Sequence, residues 1–269
     1  VNLFKQWQGD RESYSKARER SFHFGSAAHH VCGMISHLGP QLAIADGVAL
    51  AYQQRGQLKA TLAFTGDGGT SEGDFHEALN VAAVWNLPVI FIIENNGYGL
   101  STPTNEQYAC ESLVDRAKGY GIEGRRIDGN NILEVYHTIK EVRSYCIEHQ
   151  KPFLIECDTF RMRGHEEASG VKYVPKELFE IWGRKDPITN FEEYLMMEGV
   201  LNEMQVAEIR NDIKDQIEKD LAKAMEPAPF TPSIEEELAD VFAPAVDTGV
   251  QVYQDVFANK DSLGLFQQK

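Results

Sequence analysis

The sequence lacks the features of membrane, secreted and nucleic-acid-binding proteins. No apolar run approaches the roughly 18 residues that span a bilayer, and the first residues have no basic-then-apolar signal pattern. The four cysteines have no paired short spacing, which argues against a zinc site or a disulfide framework. A formal net charge of -15 would repel a polyanion. We therefore expect reduced thiols, a cytoplasmic location, and neither membrane nor nucleic acid as a partner.

Short apolar segments alternate with helical segments through the middle of the chain. Residues 60–65 and 88–93 have the length and composition of buried strands, and the segment between them has apolar residues at helical spacing. Thr70 or Ser71 is the predicted N-cap of that helix, with Asp74 in its first turn. Two further helices and two further strand segments are predicted at residues 40–53, 132–149, 126–129 and 152–157. This alternation predicts an α/β fold with a parallel sheet flanked by helices.

The character of the sequence changes after residue 160. Residues 1–160 form the predicted α/β core, and residues 161–175 are charged and aperiodic, which is typical of a functional loop. Residues 176–242 are a predicted helical extension that is wholly helical over 176–224, and residues 243–269 are a predicted tail or linker. The predicted packing face of the extension consists of Phe179, Trp182, Leu195, Val206, Ile209, Ile213 and Ile217.

A glycine-rich turn, Gly66-Asp67-Gly68-Gly69, lies where the first predicted strand gives way to a helix. In open α/β sheets this is where phosphates meet exposed backbone N–H groups and a helix N-terminus. The glycines allow close approach of the backbone, and Asp67 offers a hard oxygen ligand of the kind that Mg²⁺ prefers.

A second polar turn, Asn95-Asn96-Gly97-Tyr98-Gly99, begins about 26 residues later, just after the second predicted strand. The side-chain oxygen of Asn96 and the backbone carbonyl of Tyr98 are candidates to complete a metal shell that begins with Asp67.

These two turns together resemble the fingerprint of thiamine-diphosphate enzymes. Residues 65–74 and 94–103 are similar, more specifically, to the alpha subunit of 2-oxo acid dehydrogenases. The resemblance implies the diphosphate-binding type of the thiamine-diphosphate fold, with thiamine diphosphate and Mg²⁺ as cofactors. It places Gly66, Asp67, Gly68, Gly69, Asn96, Tyr98 and Gly99 at the cofactor, together with Ser36 and Leu38 beside its aminopyrimidine and thiazolium rings.

Residues 158–165 are similar to the family segment in which a strand runs into a loop with a catalytic histidine. The resemblance makes His165 the candidate proton-transfer residue and a further cofactor contact. Histidine suits this role because its charge changes near neutral pH. Glu166 and Glu167 follow His165, whereas mitochondrial relatives have a phosphorylatable serine directly after the histidine. This favours a bacterial-type protein without control by a kinase at that position.

The resemblance implies oxidative decarboxylation of a small 2-oxo acid, with the acyl group passed to a lipoyl group of a transacylase partner. The glutamate that activates the cofactor belongs to a beta subunit or to a fused beta half, so activity is expected only with that partner. Residues 102–108 and 119–122 favour branched-chain substrates, whereas Glu94 is nearer to the pyruvate type.

Two alternatives remain open at the level of sequence. One is the N-terminal half of a transketolase-like enzyme, and the other is a non-catalytic fragment that only binds assembly partners. We also expect the chain to be incomplete at its N-terminus, because an arginine that holds the diphosphate in the family has no counterpart after Val1.

Overall fold

The computed structural model describes residues 1–19, 23–33, 38–226 and 231–241. Contacts divide the chain into two compact units, Val1–Met225 and Glu226–Lys269. The helices are α1 (Asn2–Gln8), α2 (Pro40–Gln54), α3 (Gly73–Trp85), α4 (Arg116–Tyr120), α5 (Ile132–His149), α6 (Lys176–Gly183), α7 (Pro187–Met197), α8 (Glu203–Met225) and α9 (Ile234–Val241). The strands are β1 (Thr61–Gly66), β2 (Val89–Asn95), β3 (Tyr98–Gly99), β4 (Thr102–Pro103), β5 (Glu123–Asp128) and β6 (Phe153–Asp158).

Four strands form a parallel sheet in the order β1-β2-β6-β5, and β3 and β4 form a separate antiparallel pair. The register aligns Gly66 with Glu94, and Asn95 with Asp158. The carboxyl ends of β1, β2 and β6 therefore lie side by side at one edge of the sheet. The predicted α/β fold with a parallel sheet is confirmed.

Both faces of the sheet are covered. On one face α2 and α3 pack against Ala63, Phe91 and Ile93, and on the other α5 contributes Val142 and Cys146 to a second core. Strand β2 contributes to both cores, since its residues alternate between the two faces. This explains the continuous apolar run that predicted a strand buried on both sides.

The start of α3 differs from its prediction. The helix begins at Gly73, and its N-cap is Glu72 without a side-chain hydrogen bond. Thr70 and Ser71 belong instead to a 3-10 turn, in which the Thr70 hydroxyl donates to the carbonyl of Asp67 (2.7 Å). The prediction of Thr70 or Ser71 as the N-cap was wrong, because this local hydrogen bond holds the turn together before the helix starts.

Residues 176–224, predicted to be wholly helical, form the three helices α6, α7 and α8 with short breaks between them. Asp186 caps α7 by accepting a hydrogen bond from the Thr189 N–H (2.8 Å), and Pro187 lies at the first helical position. Gly199 has a φ of 68°, in the left-handed region, between α7 and α8.

The predicted packing face of this segment is only partly buried. Phe179 and Trp182 pack against Phe160, with ring centroids 5.3 and 5.8 Å from it. Ile213 is 55% exposed, and Ile209 and Ile217 are also exposed, so they do not form part of a core in this chain. None of the described helices is both long and apolar enough to cross a membrane.

Candidate functional site

Asp67 lies at the carboxyl end of β1 and points toward the end of β2. Its carboxyl group is almost fully buried, at 1% exposure. Oδ1 accepts a hydrogen bond from the Asn96 N–H (3.3 Å), and Oδ2 accepts one from Nε2 of Gln107 (3.3 Å). The parallel pairing of β1 with β2 thus brings the two halves of the sequence motif into direct contact.

The electrostatics of Asp67 suit a cation. Burial raises the pKa of Asp67, and hydrogen bonds from Asn96 and Gln107 and the charge of Arg161 oppose that shift. Among residues 1–19, 23–33, 38–226 and 231–241, no salt bridge neutralises this carboxylate. A buried carboxylate without an ion-pair partner is costly, and a metal ion supplies the missing positive charge. The residues present therefore fit Mg²⁺.

The turn after β2 is held by two successive side-chain-to-backbone hydrogen bonds. Asn95 Oδ1 accepts from the Gly97 N–H (3.1 Å), and Asn96 Oδ1 accepts from the Tyr98 N–H (3.1 Å). Gly97 has a φ of 84°, which favours glycine in this turn. An amide oxygen has two lone pairs, so Asn96 Oδ1 retains one for a metal ion.

Glu156 in β6 fixes the first asparagine of this turn. It is completely buried, and it accepts hydrogen bonds from Asn95 Nδ2 (2.8 Å), from the Val114 N–H (2.9 Å) and from the Ser112 hydroxyl. Glu156 was predicted only to be part of a buried strand. An acidic residue inside an otherwise apolar strand was the signal that could have identified it.

Arg116 connects the 3-10 turn that follows β1 to Phe75 and Tyr108. Its Nη1 donates to the carbonyl of Thr70 (2.6 Å), and its guanidinium lies 5.8 Å from the ring centre of Phe75 and 5.5 Å from that of Tyr108. The Tyr108 hydroxyl in turn accepts from Asn95 Nδ2 (3.3 Å). The segment from residue 107 to 116, none of which was predicted as a site residue, thus contacts both halves of the motif.

Leu38 and Gly69 are neighbours. A Cβ added at Gly69 would lie 3.9 Å from Leu38 Cβ and would collide with the Thr65 hydroxyl, so only glycine fits there. Leu38 is 55% exposed, so its side chain is accessible beside the glycine-rich turn. Ser36, the other residue predicted beside the cofactor rings, lies outside the described residues.

His165 lies in the segment after β6 and is exposed. Residues 161–175 contain only a short 3-10 turn, Glu167–Ser169. Arg161 connects the loop to the β3–β4 pair, because Nη2 donates to the carbonyl of Leu100 (2.9 Å) and to the Tyr173 hydroxyl (3.3 Å). Its Nη1 lies 3.2 Å from His165 Nδ1. Arginine can only donate, so Nδ1 accepts and Nε2 is left to carry a proton outward.

A cavity of about 730 Å³ lies beside the second turn. Its walls include Asn96, Tyr98, Tyr108, Phe160 and Trp182. It therefore combines amide groups with aromatic surface, next to two of the three candidate metal-binding residues.

The chain matches one family model and is similar in sequence to several known proteins. The model of the family "Dehydrogenase E1 component" matches residues 1–233. The chain is 36% identical over 227 residues to the alpha subunit of mitochondrial 2-oxoisovalerate dehydrogenase of Caenorhabditis elegans, covering 83% of this chain and 52% of that protein.

Two relatives from Bacillus subtilis are similarly close. The alpha subunit of the acetoin:2,6-dichlorophenolindophenol oxidoreductase is 36% identical over 238 residues, covering 87% of this chain and 69% of that protein. The alpha subunit of the pyruvate dehydrogenase E1 component is 38% identical over 189 residues, covering 70% and 51% respectively. The chain thus spans about half the length of the 2-oxoisovalerate and pyruvate relatives.

Proposed function

Since the chain belongs to the dehydrogenase E1 component family, we propose that it holds the magnesium-diphosphate end of thiamine diphosphate in an enzyme that oxidatively decarboxylates a 2-oxo acid. The observation that carries this proposal is the buried carboxylate of Asp67, which meets Asn96 where two parallel strands end side by side.

Asp67, Asn96 and the carbonyl of Tyr98 are the proposed magnesium ligands. They offer a carboxylate, an amide oxygen and a backbone oxygen, which are the donor types that Mg²⁺ takes from proteins. Asp67 is buried and Asn96 lies in a hydrogen-bonded turn, so both of these ligand groups are already ordered without a bound ion. The order imposed on them lowers the entropic cost of binding.

The glycines contribute to the proposed cofactor site through their backbone. An added Cβ at Gly68, Gly69 or Gly99 would meet neighbouring protein atoms, so these glycines let the turns pack closely, and Leu38 lies beside Gly69. The main-chain N–H groups of Gly66, Gly68, Gly69 and Gly99 are the proposed donors to the diphosphate. The proposed contact of Ser36 with the cofactor rings rests on the family resemblance alone.

His165 is the proposed proton-transfer residue and a further cofactor contact. Thiamine diphosphate, when bound, supplies the electron sink for decarboxylation. The hydrogen bond from Arg161 to Nδ1 fixes the tautomer in which Nε2 carries the exchangeable proton.

The proposed active species includes a beta subunit or a fused beta half, and a lipoyl transacylase receives the acyl group. Branched-chain 2-oxo acids are the favoured substrates and pyruvate is next, in keeping with the names of two relatives. The name of a third relative makes acetoin a competitor that a substrate panel should include. A bacterial-type cytoplasmic location stays a prediction.

The test is a calorimetric titration with thiamine diphosphate and Mg²⁺, on the protein alone and assembled with its beta partner. We expect binding that requires the partner and that is lost in Asp67→Ala, because this variant removes the only carboxylate among the proposed ligands. Asp215→Ala is the matched control, since Asp215 is exposed on α8.

Four outcomes distinguish the possibilities. Turnover of 2-oxoisovalerate, pyruvate or acetoin by the assembled wild type identifies the substrate class. Cofactor binding that survives Asp67→Ala contradicts the metal assignment. Association with the partner without any cofactor binding would support the non-catalytic assembly role, and turnover of sugar phosphates would support the transketolase-like alternative.

A further inference from the structure

Gln107 is the residue outside the known motif that touches its central carboxylate. The side chain is half-buried, and Nε2 donates both to Asp67 Oδ2 (3.3 Å) and to the carbonyl of Thr102 (3.0 Å). Thr102 pairs with Gly99 in the β3–β4 pair. One amide group therefore connects the end of β1 to the pair that contains Tyr98.

The orientation of this amide is fixed by its surroundings. Both groups near the nitrogen, a carboxylate oxygen and a carbonyl oxygen, can only accept hydrogen bonds. The NH₂ end of Gln107 fits between them because it has two donor hydrogens, whereas the amide oxygen would be repelled there.

The glycines of the motif leave the space that Gln107 occupies. A Cβ at Gly99 would lie 2.9 Å from both Nε2 and Oε1 of Gln107. A Cβ at Gly68 would lie 3.0 Å from the Cα of Gly99 and 3.7 Å from Oε1 of Gln107. The close packing of these two turns thus includes the glutamine amide as a third component.

We propose that Gln107 is a positioning residue of the metal site, which holds the Asp67 carboxylate and the β3–β4 pair at the separation that a magnesium ion requires. Each carboxylate oxygen has two lone pairs, so Oδ2 can accept from Gln107 while Asp67 coordinates the ion. Partners of this kind, which orient a metal ligand, commonly change metal affinity about 10–100-fold when they are removed. The inference deepens the proposed function and rests on it.

The test uses the wild-type complex, assembled with its beta partner, and measures Mg²⁺ affinity by calorimetry at saturating thiamine diphosphate. Gln107→Met keeps the length of the side chain and loses both hydrogen bonds, so we expect Mg²⁺ affinity to fall about 10–100-fold. Gln53→Met is the matched control, because Gln53 is also half-buried and donates from Nε2 to a backbone carbonyl, that of Asn86 (3.2 Å). This control should bind Mg²⁺ like the wild type, and thermal unfolding verifies that both variants fold.

A double substitution separates positioning from general damage. Gly99→Ala should weaken Mg²⁺ binding because its Cβ displaces the Gln107 amide from Asp67. In a Gln107→Ala background there is no amide to displace, so adding Gly99→Ala should cause little further loss. An Mg²⁺ affinity of Gln107→Ala equal to that of the wild type, with binding still weakened by Gly99→Ala, would show that Gly99 acts without the Gln107 amide and would overturn the inference.

Failure of the inference and failure of the proposed function are distinguishable. Absence of Mg²⁺-dependent cofactor binding in the wild-type complex contradicts the proposed function itself. Normal binding in the wild type, its loss in Asp67→Ala, and unchanged affinity in Gln107→Met would leave the proposed function standing and refute the role of Gln107.

Discussion

The strand ends that carry Asp67 and Asn96 contrast with the loop that carries His165. At the strand ends Asp67 is buried and Asn96 is half-buried, and sheet pairing, asparagine turns and the fully buried Glu156 hold them. His165 is exposed, and its side chain contacts Arg161. The proposed metal side of the site is thus part of the folded core, whereas the proposed proton-transfer side depends on a few contacts at the surface.

This difference has a physical basis in what each side must do. A metal site needs fixed oxygen positions, which buried hydrogen bonds provide. A proton-transfer group must meet both substrate and solvent, and loops on a rigid scaffold commonly carry such groups. Substitutions on the two sides should therefore separate metal affinity from turnover.

The largest expected effect is on turnover, from His165→Asn. Loss of the proton-transfer group should reduce kcat by about 10²–10⁴-fold, while the affinities for Mg²⁺ and thiamine diphosphate stay close to those of the wild type. Steady-state kinetics and calorimetry on the assembled complex measure the two quantities. His149→Asn at the exposed end of α5 is the control. A kcat equal to that of the wild type would remove His165 from the mechanism.

Glu156→Gln should affect Mg²⁺ binding rather than turnover directly. The substitution changes only one oxygen into an NH₂ group. That group must then face Asn95 Nδ2 or the Val114 N–H, both of which are donors. We expect about 1–3 kcal/mol lower stability from the buried unsatisfied groups and about 10-fold weaker Mg²⁺ binding from the disturbed turn. Denaturant unfolding and calorimetry measure these changes.

Glu141→Gln is the matched control for this prediction, because Glu141 is an exposed carboxylate paired with Arg125. It should leave stability close to that of the wild type, because exposed ion pairs contribute little. If Glu156→Gln weakened turnover but left Mg²⁺ affinity intact, the assignment of Glu156 to the metal side would be wrong.

The fold and the family were predictable from the sequence because their signals are local. Strand β2 has a continuous apolar run, β1 and β6 are short and mainly apolar, and α5 has both its predicted bounds, Ile132 and His149. The break before α7 also had local signals, Asp186-Pro187, which the periodicity of the apolar residues obscured. The roles of the predicted site residues stay predictions.

The contacts of the site could not be predicted, because they join residues far apart in sequence. Gln107 is 40 residues from Asp67, and Glu156 is 61 residues from Asn95. Apolar periodicity reports which face of an element is buried, but it does not report which polar side chains meet across strand ends. The register of β1, β2 and β6 brings the strand ends with Asp67, Asn95 and Glu156 together, and the turn Thr104–Glu106 after β4 leads to Gln107.

The smallest expected effect on Mg²⁺ binding and turnover concerns a second buried carboxylate, that of Asp46 on α2, whose titration should change stability alone. It is only 5% exposed, and its Oδ1 has no hydrogen-bond partner among the residues that the structure describes, in contrast to Asp67, whose two oxygens both accept hydrogen bonds. Burial raises the pKa of Asp46 from 3.8 to about 7. The folded state thus binds this proton more tightly than the unfolded state, so the contribution of Asp46 to stability falls as pH rises from about 4 to about 7 and is then constant.

Asp46→Asn removes this titration while keeping the size of the side chain. The free energy of unfolding of the variant, relative to the wild type, should rise between pH 4 and pH 7 by at most about 4 kcal/mol, and by less if water reaches the carboxylate when the helix opens locally. Chemical denaturation across this pH range measures it, with the exposed Asp215→Asn as control. A difference between variant and wild type that does not change with pH would mean that Asp46 titrates normally. The burial of Asp46 would then not raise its pKa above that of the carboxylates on the surface.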